Sequence, residues 1–514
     1  MPGEAIRIGP FNEGLDLFND APSVSDNALV ECLNFEPDYD GSLRSRPPVV
    51  DTAFNITLGA TGNAEILGTF FGPQATPYTI ANDGLNSTYY YDNGAWSLLT
   101  NTFAATAMAQ FDNKAWLLAP VGSASPGGYW TLAGGFVADV NMPKGEVLIV
   151  HKLRLWVALG RSATTNGTRL YFSKLLGVVP FWLASPDFVD IGAGDGQNIV
   201  QAVVYYQSIV LFRTDSIYSF TYTTDPSAAV VAVVVPGVGL TNKDCITPYE
   251  NYLYFLYRGR AYEFVNSRVT QINNKVPFKD VQIPEIVRPF SVSLFNGRVL
   301  YQWWDYTYIF YLNTRTWTRW RTNTHGAFGK WWPRPDVAGV PEVWCISAKA
   351  ATVSATRMAK TLSMQDGFNT RLENFQCIAQ TKSYSYEAAT VYKRMYWWSV
   401  IASFTGMVTG VVVSVGFRPE STWGQIRRMT WGQLRVLTWG RLASDSYLLS
   451  SSRTTEGSVI QRKTVKMSTK SFRFKQIYFT ITFDSNGTKA TSPVRLNSLM
   501  TYVRAKQTVS KTVS

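Results

Sequence analysis

Phe111-Asp112-Asn113-Lys114-Ala115-Trp116-Leu117-Leu118 joins a polar turn to an aromatic, apolar strand, and the chain returns to this unit. It recurs as Glu250-Asn251-Tyr252-Leu253-Tyr254-Phe255-Leu256 and as Phe295-Asn296-Gly297-Arg298-Val299-Leu300-Tyr301. Two looser copies are His151-Lys152-Leu153-Arg154-Leu155-Trp156-Val157 and Tyr206-Gln207-Ser208-Ile209-Val210-Leu211-Phe212. Counted from Asn113, the turn falls at Lys152, Gln207, Asn251 and Asn296, in steps of 39, 55, 44 and 45 residues (152−113, 207−152, 251−207, 296−251). A period of roughly 40–50 residues, with about four strands per unit, marks a β-propeller. One small sheet cannot bury both faces alone, so such units stack. The alternative is a β-sandwich whose strands share this spacing by coincidence.

Within one unit, residues 299–303, 306–312 and 316–320 read as three strands, rich in the aromatic and β-branched residues that suit a pleated surface. Tyr91-Asp92-Asn93-Gly94-Ala95-Trp96 and Tyr311-Leu312-Asn313-Thr314-Arg315-Thr316-Trp317 each set a Tyr before a polar turn and a Trp after it. This resembles the Kelch-type blade hairpin. After Trp344-Cys345-Ile346-Ser347 the pattern fades, and long strands at 389–404, 408–417, 471–483 and 496–503 predict an antiparallel, sandwich-like domain. The expected fold is all-β. An extended arm over 1–55 closes onto the first blade, a propeller of six or seven blades covers 56–360, and a C-terminal β-rich assembly domain covers 361–514.

With 46% hydrophobic and 14% aromatic residues against 16% charged, the chain is a packed protein rather than a disordered one. No apolar run is long enough to span a bilayer; the Val-rich run 228–235 reads as a buried strand. Met1-Pro2-Gly3-Glu4 lacks a basic region followed by an apolar core, so no secretory signal is expected. The sequons at Asn55, Asn86, Asn166 and Asn486 then carry no glycosylation argument. Cys32, Cys245, Cys345 and Cys377 are widely spaced and read as small buried hydrophobes of a reducing cytoplasm. The net charge of +12 is concentrated in 417–475, which suits nucleic acid or an acidic protein partner.

Catalysis finds little to stand on. His151 and His325 are the two histidines, with no H-x-x-x-H or His/Cys cluster for zinc, no G-x-S-x-G elbow and no phosphate loop. A carboxylate pair for glycoside hydrolysis is set by folding and cannot be read from spacing. Asp38-Tyr39-Asp40-Gly41 begins like a calcium loop but lacks the remaining ligands; a hairpin with Gly41 at positive φ is expected. No enzyme activity, metal or cofactor is expected.

Thr422-Trp423-Gly424-Gln425-Ile426, Thr430-Trp431-Gly432-Gln433-Leu434 and Thr438-Trp439-Gly440-Arg441-Leu442 form a tandem repeat of period 8 (431−423, 439−431). In an extended segment an even period keeps the tryptophans on one face; in a helix they would drift around it. They either pack on their own domain or meet a partner. An exposed Trp row needs a cover, which favours subunit contact over nucleic acid for this insert at 418–446. Arg427, Arg428, Arg435 and Arg441 are its candidate DNA-facing residues.

The opening carries Gly9-Pro10-Phe11, Gly14-Leu15, Asp20-Ala21-Pro22, Leu29, Asn34, Gly41, Leu43 and Arg46-Pro47. This order resembles bacteriophage tail proteins: the tubular or nozzle proteins of short-tailed phages and minor tail proteins of long-tailed ones. The family motif usually ends R-P-G; here Pro48 stands in place of the glycine. The resemblance implies a non-enzymatic virion tail component, assembled in the bacterial host cytoplasm. It would form a homo-oligomeric ring with other tail proteins, through which DNA passes in a weak, sequence-independent contact. Arg44 and Arg46, alternating on one strand face, would pair with a neighbouring subunit or form ordinary surface ion pairs. The second expectation is a propeller that binds host-surface glycans through Trp303, Trp304, Trp331 and Trp332. A propeller glycosidase comes third.

Overall fold

Each repeated turn is a two-residue hairpin between the first and second strands of a four-stranded antiparallel sheet. The residues closing it are Phe111 with Lys114, His151 with Arg154, Tyr205 with Ser208, Tyr249 with Tyr252, and Phe295 with Arg298. Asp112 and Asn113, and likewise Asn296 and Gly297, take positive φ, the geometry that matches strand twist in such turns. The strand after each turn is buried almost throughout, as in Lys114–Leu118, Arg154–Ala158, Ser208–Arg213, Tyr252–Tyr257 and Arg298–Trp303. Such strands lie between neighbouring sheets and are covered on both faces, so they read as continuous apolar runs rather than alternating ones.

The structure is a computed structural model. It describes residues 4–505 apart from 20–22, 58–64, 93–94, 279–289, 304–305, 322–327, 336–340, 350–351, 359–364, 369–370, 385–392, 405–409, 419–443, 450–458, 467–472, 485–494 and the single positions 39, 48, 162, 193, 375 and 475. Over these residues it is all-β, with two short 3-10 turns, Pro73–Ala75 and Pro226–Ala228.

Four-stranded antiparallel sets span 65–100, 107–138, 147–190, 199–236, 246–271 and 291–320, called here the first to sixth sheets. A seventh set contains Phe328–Pro335, Pro341–Lys349 and Thr352–Met358, and is completed by Val49–Thr57 from the N-terminal segment. The first strands of the first four sheets pack on one another in turn, as do those of the fifth to seventh, and Phe328–Pro335 returns to Glu65–Phe71. The fourth and fifth sheets meet through Phe212 and Phe255, 5.2 Å apart. This is the blade arrangement of a β-propeller. An end strand completed from the distant N-terminal segment ties the circle together without leaving a three-stranded sheet.

The strands around 32–35 and 43–46, expected on the first sheet, pair elsewhere. Ala28–Leu33 pairs with Cys377–Thr381 and meets the sixth sheet at Leu33 and Arg319. Glu4–Ile8 and Leu43–Ser45 pair with Arg495–Ala505. The reason is an edge: Thr316–Trp320 is the last strand of the set 291–320, and the arm strand Ala28–Leu33 pairs with it and continues its sheet, so it is buried throughout. The C-terminal strands form two sheets sharing one core, with Phe35 of one against Phe483 of the other at 5.6 Å. The expected Asp38–Gly41 hairpin is present, with Gly41 at φ 78°.

The Val-rich run is a second correction. Val230–Pro236 is the outer strand of the fourth sheet, and Val230 and Val233 are 69% and 53% exposed. With a partner on one side only, its apolar content does not ensure burial.

Candidate functional site

Trp423, Trp431, Trp439, Arg427, Arg428, Arg435 and Arg441 lie outside the described residues, as does Trp304. The arm residues are placed, and they form a junction. Arg46 is 0% exposed; its Nε donates to Asn34 Oδ1 at 3.0 Å and its Nη1 to Pro47 O at 3.0 Å. This corrects the surface role expected of Arg46: strand alternation gave its face but not the layer that covers it. Arg44 is half-buried and pairs within the chain with Glu36 at 3.2 Å. Glu36 is buried and also takes Arg298 of the sixth sheet at 2.7 Å. Arg319, at the arm's contact strand, pairs with Glu31.

Asn34 is the hub that sequence reading passed over. Its backbone N–H donates to Arg319 O at 2.8 Å, and its Oδ1 accepts from Arg321 N at 2.8 Å. Its Nδ2 donates to Gln376 O at 2.7 Å, and its carbonyl accepts from Cys377 Sγ at 3.2 Å. The asparagine of the arm motif was the available signal.

Of the tryptophans named for glycan contact, Trp303 and Trp331 are interior. Trp303 is buried and stacks on Phe290 at 4.4 Å; Trp331 is buried, with Nε1 donating to Thr307 Oγ1 at 3.1 Å. Trp332 is half-buried, its Nε1 on Thr69 Oγ1 at 3.3 Å. The Trp303 and Trp331 rings are core, and Trp332 is only partly covered.

A polar network gathers where the first strands begin. Lys243, just before the fifth sheet, reaches Glu65 of the first sheet at 2.8 Å and Thr106 O, before the second, at 2.5 Å. Gln201 Nε2 donates to Lys243 O at 2.8 Å, and Arg161 donates to Thr241 O. Burial by itself would lower the Lys243 pKa; the carboxylates of Glu65, Asp244 and Glu146 outweigh it and hold the ammonium above the usual lysine range. Because the fifth sheet does not neighbour the first or second, this pair spans the ring.

His151 is buried against Tyr222, and burial, then the Lys152 ammonium, lowers its pKa. His325 lies outside the described residues. All four cysteines are buried thiols. Among the described residues no group of His, Cys, Asp and Glu is placed to hold a metal ion, and no helix is long and apolar enough to cross a membrane.

No family model and no curated protein matches the chain. Among solved structures it is similar to the extracellular domain of BT4673 from B. thetaiotaomicron at 11% identity and TM-score 0.44, over 62% of this chain and 41% of that one. The chain thus spans about two-fifths of that protein's length. It is also similar to BamB from Moraxella catarrhalis (11% identity, TM-score 0.38, 64% of this chain and 94% of that one). A third is the computationally designed Ika8 protein (10% identity, TM-score 0.37, 65% and 97%). These TM-scores are low, so the propeller arrangement rests on the chain's own sheet topology.

Proposed function

We propose that this protein is a structural component of a bacteriophage tail, part of a ring at the tube, nozzle or tip through which DNA passes during ejection. In this reading the seven four-stranded sets are seven blades, closed by Val49–Thr57. The rest of the arm belongs with a C-terminal sandwich that docks on the sixth blade. The observation that supports it is the role of the residues that carry the tail-protein resemblance. Phe11, Leu15, Leu29, Asn34, Leu43 and Arg46 are all buried, and Asn34 and Arg46 bond to each other. They serve as a fold signature that locks arm, sixth sheet and C-terminal strands together.

The test is the oligomeric state of the purified protein by mass photometry, with and without residues 418–446. A ring that falls to a folded monomer on deletion makes the Trp repeat a subunit contact. A monomer in both forms, at every concentration, counts against the ring. Glycan adhesion through the four named tryptophans has no support, since Trp303 and Trp331 are interior.

A further inference from the structure

The third sheet ends in an apolar tip. In an antiparallel four-stranded sheet, the turn between the first two strands and the loop between the last two leave from the same end, and here both are apolar. The turn is Lys152-Leu153, with Leu153 60% exposed; the second, fifth and sixth sheets carry Asp112-Asn113, Glu250-Asn251 and Asn296-Gly297 in its place. The loop joins Arg169–Phe172 to Asp187–Asp190, and its residues 175–186 include no charged side chain. Leu175, Leu176, Val178, Val179 and Pro180 are all exposed, Val179 by 91%.

Backbone bonds hold this tip in shape. Leu176 N donates to Leu153 O at 3.0 Å and joins loop to turn; Val178 N donates to Leu175 O at 3.1 Å, and Lys174 N to Phe181 O at 3.0 Å. At its base Trp182 is buried, and the Phe181 ring packs on Phe111 and Trp116 of the second sheet, 5.9 and 5.3 Å away. The aromatic side chains turn inward and anchor the loop, while aliphatic ones stay outside with no hydrogen-bonding group to offer.

A contiguous exposed apolar patch calls for a cover. Shape decides which. Side chains at nearly consecutive positions point to opposite sides of a hairpin tip, so a protein groove that took one side would leave the other wet. A fluid apolar layer surrounds such a tip on every side. Three N–H groups of the loop are already bonded within the protein, and Pro180 has none, which reduces the cost of leaving water. Lys152 and Arg154 flank Leu153 and Lys174 precedes Leu175, against the carboxylates of Asp187 and Asp225; three cations to two anions complement an anionic head-group layer. In the corresponding turn of the neighbouring fourth sheet Tyr206 is exposed, a residue type that settles at the boundary of water and lipid.

We propose that this tip inserts into one face of a lipid bilayer without crossing it, with Leu153, Leu176 and Val179 among the acyl chains and the cations at head-group level. The inference stands apart from the tail assignment, and its test reads lipid binding rather than ring assembly. The intact protein is sedimented with extruded vesicles of phosphatidylcholine, alone or mixed with phosphatidylglycerol. Leu176→Asp and Val179→Asp, both at exposed positions, are compared with wild type, with circular dichroism confirming the fold. The expected result is binding to the anionic vesicles, less tight on the neutral ones, that each substitution weakens at least about tenfold. Since the native thiols are buried, Val179→Cys can carry an environment-sensitive fluorophore, whose emission should shift to the blue on vesicles. No sedimentation with either vesicle, binding unchanged in both Asp variants, or a fluorophore that stays in water would overturn the proposal. So would a dimer of the wild type, formed without lipid and abolished by Val179→Asp, because a second copy would then be the cover.

Discussion

Asn34 Oδ1 accepts a hydrogen bond from Arg46 Nε at 3.0 Å, with both side chains fully buried. Asn34 itself sits at φ 57°, a conformation its short polar side chain tolerates better than most. One amide therefore ties the arm hairpin, the end of the sixth sheet and the C-terminal strands.

Asn34→Ala should be among the most damaging single changes in the arm. It removes three side-chain hydrogen bonds and leaves an alanine in the left-handed region, for a cost of about 3–5 kcal/mol. Asn34→Gly loses the same bonds without the strain and should be about 1 kcal/mol milder. Guanidinium unfolding midpoints rank the two, and the reverse order would remove backbone strain from the explanation.

Lys243 and Glu65 give a pH-dependent prediction. The folded pKa of Lys243 is raised, so its stabilisation is fully present below the unfolded lysine value of about 10.4 and is lost as pH climbs through the folded value. Lys243→Met should melt below wild type at neutral pH, by about 1–3 kcal/mol for a mostly buried pair. The gap should persist to about pH 10 and narrow above it. Thermal melts across this range decide; a constant gap at high pH would mean that packing, not charge, is lost.

Val233 lies on an open edge, and Val233→Lys should leave stability within about 0.5 kcal/mol. A charged edge also resists pairing with another strand, so light scattering of concentrated samples should fall. A melting loss of several degrees would show that the position is covered in solution.

Four buried thiols should be silent in the native protein. Burial, then the nearby Glu31 carboxylate, pushes the Cys32 thiol far above the usual range, so its thiolate is scarce. Ellman's reagent should find no fast-reacting thiol at neutral pH and four in guanidinium. Prompt reaction in the native state would contradict the burial.

The hairpins were legible because their chemistry is local. Asn296 and Gly297 can enter the left-handed region, and a run such as Leu253–Tyr257 is apolar throughout because sheets cover both of its faces. The first sheet escaped this signature: its first two strands are joined across Pro73–Ala75, not by a two-residue turn. The seventh escaped it because its fourth strand, Val49–Thr57, comes from the other end of the propeller.

By itself the sequence determined the repeated turns, the strands they join, the all-β class and the absence of metal and nucleophile motifs, since each depends on residues a few positions apart. Tertiary structure alone decided which face each strand turns to a neighbour. It buried Arg46 against Asn34, left Val230 and Val233 on an outer edge, and sent Trp331 into the core. It also brought Lys243 across the ring to Glu65. The physical reason is that residue type and period say what a side chain can do, while burial and pairing depend on which distant segment arrives to cover it.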